Sequence, residues 1–348
     1  MPTRRHVVRV FGPLPPPVHG ASRVTRMVAD LVAAEAGVEV REFDSNDDVP
    51  TAARLRRMLR GLADLAFGRR GTVYLGGAGG EVLWYQALVV VVARLRRQRI
   101  AFHHHNFSYL HERSTAMAVL CRGGGHRVRH VVLGDTMAAA LRSTYRGASD
   151  VRVCSNAALL GPPETSHTRP ASGPLVLGHL SNLSREKGVD VVVDALRSLR
   201  AAGVDASLVL AGPCADDDAR AVVEAAQVEL GDALEVTGAI EPDRVDEVYR
   251  RIDVFVFPSR YRNEAEPLVV LDAMRWGVES VAFDTGCLRE LVEPALLVPL
   301  GGDLPAAVAT RGLDVRGSST AVVRYAQRRE HAQAALHELV AHLVDHRA

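Results

Sequence analysis

FPSRYRNEAEPLVVLDAMRWG, at residues 257–277, is the segment around which the rest of the chain is arranged. A short apolar run, Val254–Phe257, leads into it and is typical of a buried strand. A polar loop follows, and Pro267 suits the first turn of a helix, where its missing N–H is no loss. Leu268 and Leu271 begin an apolar face at helical spacing. We predict a strand–loop–helix unit, whose helix N-terminus is a natural position for a phosphate.

Two carboxylates stand out in this unit, Glu264 just before the helix and Asp272 about one turn inside it. From the spacing alone, a solvated loop followed by a capped helix explains them as well as a binding site does. Five further residues of the segment accompany these two carboxylates: Pro258, Ser259, Ala273, Met274 and Gly277.

Taken together, these residues resemble the signature of retaining glycosyltransferase family 4, which has the GT-B fold. The resemblance implies that Glu264 contacts the donor sugar and that Asp272 holds the nucleotide ribose. The chain departs from the family at two places. The second acidic residue is Asp, and Ala265-Glu266-Pro267 stands where the family has the Gly-Phe-Gly that lines the donor-sugar pocket. The resemblance implies donor contacts for Glu266 and for the N–H groups near Leu268 and Val269.

A single lysine, Lys187, accompanies 41 arginines. It lies in SNLSREKG, residues 181–188, between a predicted strand at 175–180 and a predicted helix that ends near Ala201. Lysine provides a compact point charge that arginine does not replace, and a strand-to-helix loop is where a diphosphate binds. The loop resembles the family's diphosphate clamp, which has Arg and Lys. Lys187 matches it, Asn182 occupies the Arg position, and Arg185 can supply that charge from a different place.

The first half of the chain offers weaker motifs. A strand at 7–11 is followed by a Pro-rich loop that ends in Gly20 and by a helix at about 22–36, which is typical of a ligand-facing loop. The loop resembles the family's first loop, with His19 in place of the first Gly. Asn156 is the one match to the family's Pro-Asn-Gly turn. A glycine cluster at 76–80 is most simply a flexible turn.

Three consecutive histidines follow a predicted strand, at 103–105. Alternation along a strand points His103 and His105 to one side and His104 to the other. No carboxylate or cysteine lies nearby at ligand spacing, so we expect no metal here. The run resembles the family's strand-end histidine that faces the sugar, with His105 as first choice and His103 as second. The acidic run 216–218 similarly fits a helix N-terminus better than a metal motif.

Charge is distributed unevenly along the chain. Residues 1–158 carry 23 arginines and 12 acidic residues, or +11, whereas residues 159–348 carry 19 basic and 29 acidic residues, or −10. Arginines cluster at 54–60 and 94–99, next to an apolar segment at 81–95 that is too short to cross a bilayer. That segment is a buried helix or an interfacial one. We expect peripheral binding to an anionic membrane surface; an internal contact between the two halves is the alternative, and few aromatics argue against nucleic acid.

Composition indicates a soluble globular protein long enough for two domains. Four cysteines show no ligand spacing and no signal peptide is apparent, so we expect reduced thiols and a cytoplasmic location, with a peripheral position at the inner face of the membrane as a variant. We predict two Rossmann-like parallel α/β domains facing a central cleft: an acceptor-side domain at 1–160 and a nucleotide-sugar domain at 174–320, joined by a Pro-rich linker at 162–174. The helix at about 325–348 is expected to pack back on the first domain.

The resemblance implies a retaining, metal-independent glycosyltransferase that needs no cofactor. It moves a sugar from a nucleotide-diphosphate sugar to a sugar, lipid-linked or small-molecule acceptor, in cell-surface polysaccharide, glycolipid or glycoconjugate biosynthesis. Lys187, Glu264 and His105 are the expected catalytic residues. Two alternatives stay open: a sugar-nucleotide epimerase on the same scaffold, which needs no acceptor, and a nucleotide-sugar-binding protein without turnover.

Overall fold

The computed structural model describes residues 5–16, 20–46, 51–164, 173–316 and 320–345. His19 and residues 165–172 of the predicted linker lie outside these ranges. The chain divides into two compact units. The first comprises Met1–Leu159, Asn263–Glu266 and Glu330–Ala348, and the second comprises Leu160–Arg262 and Pro267–Arg329.

The first unit is built on a six-stranded sheet. Its strands are β1 (His6–Gly12), β2 (Val38–Asp44), β3 (Gly71–Gly77), β4 (Arg99–His104), β5 (Val128–Val132) and β6 (Asp150–Val153). They are ordered β2-β1-β3-β4-β5-β6, and every neighbouring pair is parallel. Between them lie α1 (Gly20–Ala33), α2 (Thr51–Phe67), α3 (Val82–Leu95), α4 (Ser108–His111), α5 (Thr115–Gly124) and α6 (Asp135–Thr144).

Helices cover both faces of this sheet, which explains why its central strands are almost fully buried. The connection from β1 to β2 runs toward one edge, and all later connections run toward the other. Because parallel crossovers are right-handed, α1 lies on one face, and α2, α3 and α5 lie side by side on the opposite face. Packing of α3 against both α2 and α5 agrees with this arrangement.

The second unit repeats the architecture. Its strands are β7 (Leu175–Leu180), β8 (Ala206–Ala211), β9 (Leu234–Gly238), β10 (Val254–Phe257), β11 (Glu279–Phe283) and β12 (Leu297–Val298). Their order is β12-β11-β10-β7-β8-β9, again with parallel pairs throughout. The helices are α7 (Val189–Ala201), α8 (Asp217–Leu230), α9 (Val245–Tyr249), α10 (Leu268–Arg275), α11 (Leu304–Arg311) and α12 (Thr320–Val344).

The end of α12 belongs to the first unit. Its Leu343 carbonyl accepts a hydrogen bond from Thr72 Oγ1, and Asp345 just beyond the helix pairs with Arg99 at 2.7 Å. Thr72 and Arg99 lie at the amino ends of neighbouring strands, β3 and β4. The last turn of the chain that the structure describes is therefore fixed to the amino-terminal edge of the first sheet.

The predicted alternation of strands and helices is confirmed, with several local corrections. Helix α1 spans Gly20–Ala33 rather than 22–36, and Pro267 precedes α10 rather than opening it. Helices α4, α5 and α11 were not predicted, because α4 has only four residues, α5 ends in two glycines and α11 has a proline in its first turn. The acidic run does open α8, where Asp216 accepts from the N–H of Ala219 at 2.7 Å.

The glycine cluster at 76–80 is not simply a turn. Gly76 and Gly77 are the last residues of β3, and a Cβ on Gly76 would lie 2.5 Å from Thr25 Oγ1 of α1. Glycine therefore permits close approach between the end of this strand and the helix. No helix in the described part of the chain is both long and apolar enough to span a membrane.

Candidate functional site

The second sheet changes direction between two neighbouring strands, β7 and β10. From β7 the chain continues to β8 and β9 on one side, and from β10 it continues to β11 and β12 on the other. In open parallel sheets, ligands bind outside the carboxyl ends of the strands at such a switch point. The loop that leaves β7 carries Lys187, and the loop that leaves β10 is the segment from Pro258 onward.

Gly188 brings these two loops together. It precedes α7 with a left-handed backbone, φ +82°. A Cβ at this position would lie 2.5 Å from the carbonyl oxygen of Pro258, so a side chain fits neither the backbone conformation nor the space. The N–H of Arg260 also donates to the carbonyl of Glu186 at 2.8 Å. The lysine loop is thus packed directly against the loop after β10.

Lys187 is held over an aromatic ring. Lys187 is half-buried, and its Nζ lies 4.5 Å from the ring centroid of Tyr261. Its backbone N–H donates to Ser184 Oγ at 3.1 Å. A cation over an aromatic face is stabilised by the ring quadrupole. Tyr261 was not predicted from the sequence as a site residue, although it lies three residues before Glu264. The ring orients the ammonium at the switch point, where an anion can bind it.

The other predicted cation of this loop is placed less favourably. Arg185 is exposed, and its guanidinium lies 3.9 Å from Asp190 in the first turn of α7. Arg260 approaches the same carboxylate at 3.3 Å and donates to the carbonyl of Arg185 at 3.0 Å. Asn182 is exposed. Arg260 is therefore a second cation, beside Arg185, at this edge of the second sheet. It was not predicted, because its partners lie about 70 residues earlier in the chain.

His179 fixes the start of the lysine loop. Its Nδ1 donates to the carbonyl of Val256 on β10 at 2.9 Å, and Ser181 Oγ lies 2.8 Å from Nε2. A carbonyl only accepts, so the proton of the neutral ring is on Nδ1 and the serine hydroxyl donates to Nε2. Burial lowers the pKa of His179 to about 4, and the charge of Lys187 acts in the same direction. The imidazole is neutral at pH 7 and joins β7 to β10 at the switch point.

Helix α10 begins at the same edge of the sheet. Pro267 precedes it, so that the N–H groups of Leu268 and Val269 are in its first turn. Asp272 is buried one turn further on, close enough to Arg275 and Tyr325 for its charge to act on both. Burial raises the pKa of Tyr325, and Asp272 adds to the shift. The helix N-terminus and this carboxylate are both near the carboxyl end of β10.

Beside it, the carboxyl end of β11 contributes polar atoms that local sequence did not single out. Asp284 Oδ1 and Thr285 Oγ1 are buried and have no hydrogen-bond partner among the described residues, whereas Asp284 Oδ2 accepts from Arg289 at 2.8 Å. A buried polar atom without a partner is costly, and a ligand can satisfy it. These atoms extend the candidate site from β10 to β11.

Residues 263–266, which include Glu264, belong to the first unit. The carboxylate of Glu266 accepts from Ser155 Oγ at 2.7 Å and from the N–H of Asn156 at 2.6 Å, while the Asn156 side chain donates to the Glu266 carbonyl at 3.1 Å. All three residues are buried. Glu266 and Asn156, both predicted to contact the donor, thus hydrogen-bond to each other. Glu264, two residues earlier, is half-buried.

The histidine run alternates as predicted. The rings of His103 and His105 are 4.2 Å apart on one side, whereas His104 lies on the other, 2.9 Å from Tyr109 Oη and 3.1 Å from His130 Nδ1. Burial lowers the pKa of His103 and His104 well below 6.5 and that of His130 to about 4. Among the described residues, no group of three or more His, Cys, Asp or Glu side chains is arranged to hold a metal ion.

The first sheet has its own switch point, between β1 and β3. Gly20, the predicted ligand-loop glycine, is the first residue of α1, is exposed, and has open space around its Cα. Gly12 ends β1 and Gly76 is the next-to-last residue of β3, and a Cβ on Gly12 would lie 3.2 Å from Gly76 Cα. The α1 N-terminus therefore lies at the strand ends where a second ligand can approach.

Neutral buried histidines predict a dependence of stability on pH. For His130 and His179 the folded-state pKa is about 4, against about 6.5 in an unfolded chain. Between these values the unfolded chain binds protons that the folded chain does not, so stability present above pH 6.5 is lost as pH falls toward 4, by about 1.4 kcal/mol per pH unit and histidine. Denaturant midpoints at pH 7.5, 5.5 and 4.5 measure this loss.

Substitution His179→Gln isolates the contribution of one histidine to the pH dependence, because the carboxylates contribute equally in the variant and in the parent. Its unfolding free energy should fall less steeply with pH than that of the parent. His126→Gln, at an exposed position, is the matched control and should leave the slope unchanged. Parallel pH profiles for His179→Gln and the parent would contradict the neutral assignment.

Comparison with known proteins bears mainly on the second unit. Residues 164–297 match the family model of glycosyl transferases group 1. A glycogen synthase of Streptococcus sanguinis is 34% identical over 119 residues, which are 34% of this chain and 24% of that protein. A lipopolysaccharide core biosynthesis mannosyltransferase, LpsB of Rhizobium meliloti, is 31% identical over 140 residues, 38% of this chain and 39% of that protein. The chain thus spans well under half the length of these curated relatives.

A solved structure matches nearly the whole chain. The Anabaena protein Alr3699/HepE in complex with UDP-glucose superimposes with a TM-score of 0.69 over 96% of this chain and 99% of that one, at 17% sequence identity. At this identity the likeness shows the fold alone. Together with the two parallel six-stranded sheets, it confirms the predicted α/β fold of the GT-B class.

Proposed function

We propose, from the glycosyl transferases group 1 domain that residues 164–297 carry, that this protein is a glycosyltransferase using a nucleotide-diphosphate sugar. The observation that carries the proposal is the position of the single lysine. Lys187 lies at the β7–β10 switch point, over Tyr261 and at the sheet edge where α10 begins. A lysine, a helix N-terminus and a parallel-strand edge are the features that bind a diphosphate.

In the reaction we propose, the bond between the anomeric carbon and the diphosphate oxygen breaks, and a bond from that carbon to the acceptor oxygen forms. The acceptor hydroxyl releases its proton, and the nucleoside diphosphate leaves with the bonding electron pair. Negative charge develops on the diphosphate, where preorganised cations and N–H groups stabilise it. Lys187, aided by Arg185 and the first N–H groups of α10, would supply this stabilisation without a metal ion.

The remaining roles are divided by unit. In the second unit, Asp272 would hold the ribose of the nucleotide. In the first unit, Glu264 and His105 would act on the donor sugar, with the configuration at the anomeric carbon retained. We place the reaction in cell-surface polysaccharide, glycolipid or glycoconjugate biosynthesis. The acceptor is a sugar, a small molecule or a lipid-linked sugar, and a lipid-linked acceptor would bring the enzyme to an anionic membrane surface.

A thermal-shift screen tests the donor class directly. UDP-, GDP- and ADP-sugars, the free diphosphates and the corresponding monophosphates are compared with and without EDTA. A true donor at 100 times its Kd stabilises the protein by about 2.7 kcal/mol, and we expect its diphosphate but not its monophosphate to approach that value. Product analysis with and without acceptor then separates transfer from epimerisation. A protein that no nucleotide stabilises would contradict the proposal.

Substitutions of Glu264 and of Asp272 are expected to impair different properties, transfer in the first case and nucleotide binding in the second. Asp272→Asn should weaken binding of the free nucleoside diphosphate by about 10-fold or more, because a hydrogen bond to a charged group contributes about 1.5–3 kcal/mol. Glu264→Gln should abolish transfer and leave that affinity unchanged. Isothermal titration and turnover measure the two effects, and Glu241→Gln, at an exposed position, is the control. Equal losses of nucleotide affinity in both variants would contradict this division of roles.

A further inference from the structure

Seven large apolar side chains are exposed on one helix layer of the first unit, formed by α2, α3 and α5. They are Leu55, Leu59, Phe67, Trp84, Leu88, Leu95 and Val119. The rest of the described chain exposes only five comparable side chains. Single exposed apolar residues are ordinary, whereas a concentration of them on one face marks a surface that binds a partner.

Helix α3 shows the pattern most clearly. Trp84, Leu88 and Leu95 recur at helical spacing on the exposed side, with Trp84 53% and Leu95 78% exposed. The opposite side, which includes Leu83 and Val90, is buried. The helix thus has two apolar faces, and the sheet covers only one of them. Because α2 and α5 pack on either side of α3, their exposed sides join it in one outer surface, which we call the α2–α3–α5 surface.

Charge on the three helices of this surface is mostly positive, although the exposed Glu81 lies directly before α3. Exposed arginines accompany the apolar residues on each helix: Arg56 and Arg60 on α2, Arg94 near the end of α3, and Arg122 on α5. The one acidic residue within these three helices is Asp64, and its carboxylate pairs with Arg9 at 2.6 Å and Arg41 at 2.5 Å. The α2–α3–α5 surface is therefore apolar, cationic and free of unpaired acidic groups on its own helices.

We propose that the α2–α3–α5 surface binds an anionic lipid bilayer. Trp84, Leu88 and Leu95 enter the boundary between headgroups and acyl chains, and the arginines contact lipid phosphates. A second copy of the chain fits this surface poorly, because a two-fold contact would place the same arginines against one another. The inference deepens the proposed function by naming a partner of the first unit, and it rests on that function only for a lipid-linked acceptor.

Tryptophan fluorescence tests insertion. The chain has two tryptophans, and Trp276 is buried in the second unit beneath Arg250 at 4.6 Å, so only Trp84 is placed to enter lipid. With phosphatidylglycerol vesicles in low salt, we expect a blue shift of the emission and quenching by brominated lipid. Trp84→Phe should abolish both changes. The same shift in Trp84→Phe would place the tryptophan response elsewhere and overturn the proposal.

Vesicle sedimentation tests the two components of binding with matched variants. The triple substitution Leu59→Ser, Leu88→Ser and Leu95→Ser should weaken binding roughly 10-fold or more. The control is a triple serine substitution at exposed apolar positions of the second unit, which should bind as the parent does: Val228, Leu300 and Leu313.

Removal of charge is tested in the same way. Each basic residue near an anionic surface strengthens binding roughly fivefold, so Arg56→Gln, Arg60→Gln and Arg122→Gln together should weaken it about 100-fold. Arg220→Gln, Arg244→Gln and Arg251→Gln remove the same charge from the second unit and should have no effect. Binding of the parent should fall steeply as salt rises.

Two results would overturn the proposal. One is the absence of binding to phosphatidylglycerol vesicles at low salt. The other is a dimer in solution that the triple leucine substitution converts to monomer, because the partner would then be a second copy of the chain. Vesicle binding is measured without donor or acceptor, so a failure of glycosyl transfer leaves this inference standing. Conversely, loss of vesicle binding leaves transfer to a soluble acceptor intact.

Discussion

Lys187→Ala is expected to lower turnover of the nucleotide sugar by about 100-fold or more while the fold is retained, because a preorganised positive charge at a developing oxyanion contributes an effect of this size. The side chain is half-buried at the loop surface, so its removal creates no core cavity. Initial rates with the donor found in the thermal-shift screen measure the loss. Arg244→Ala, an exposed cation of the same unit, is the control and should be nearly silent.

Variants of Tyr261 separate the charge of Lys187 from its placement. Tyr261→Phe keeps the ring under the ammonium and should leave turnover within a few-fold of the parent, whereas Tyr261→Leu removes the quadrupole and should lower it more. Lys187→Arg should also be impaired, since a planar fork does not reproduce a compact point charge at 4.5 Å above this ring. Equal activity of Lys187→Arg and the parent would show that charge alone suffices.

The single lysine also allows a direct test of contact with the diphosphate. Reductive methylation with labelled formaldehyde modifies only the N-terminal amine and one side chain, that of Lys187. The side-chain methyl resonance should shift when nucleoside diphosphate is added and should be unaffected by nucleoside. Near-normal turnover of Lys187→Ala, or a resonance that ignores the diphosphate, would contradict the role proposed for this residue.

Local sequence was sufficient for the strands. The runs at 175–180 and 254–257 were predicted to the residue, because each is a short apolar segment bounded by turn residues. Helices of eight to ten residues that contain proline or end in glycine, such as α5 and α11, give too little periodicity to be recognised. The charge asymmetry predicted a basic first half, but only the fold shows that its exposed apolar residues share one helix layer.

The site was predicted less completely, because its key contacts join distant segments. Lys187 was recognised as unique, yet the ring beneath it, Tyr261, lies 74 positions later and is brought there by pairing of β7 with β10. Gly188 could be assigned to a loop, but the carbonyl of Pro258 that excludes a side chain there could not. Periodicity and spacing describe neighbours along the chain, whereas strand order decides which loops meet.

Glu266 illustrates the same limit, and its substitution is expected to have the second largest effect. From the sequence it was assigned to the donor. In the structure each carboxylate oxygen of Glu266 accepts one hydrogen bond, the first from Ser155 Oγ and the second from the N–H of Asn156. Glu266→Ala would leave both buried donors without an acceptor, at a cost of about 1–3 kcal/mol each. We expect denaturant unfolding to show a loss of about 3 kcal/mol.

Glu266→Gln is the milder companion variant. Its amide oxygen can accept from Asn156 while its amide nitrogen donates to Ser155, whose hydroxyl must then find another acceptor for its own proton. A double-mutant cycle with Ser155→Ala should therefore give a coupling energy of about 1 kcal/mol. Glu241→Gln removes an exposed carboxylate and should change neither stability nor rate.

The functional consequence distinguishes positioning from donor binding. Glu264 is two residues away on the same segment, so loosening Glu266 should displace the Glu264 carboxylate and lower kcat. Affinity for the free nucleoside diphosphate, which we propose the second unit to bind, should stay constant. Turnover and isothermal titration of Glu266→Gln measure the two quantities, and the pairing of a reduced kcat with an unchanged Kd is the expected result. A Kd that rises together with the loss of rate would mean that Glu266 contacts the donor itself, and its hydrogen bonds to Ser155 and Asn156 would then describe only the unliganded protein.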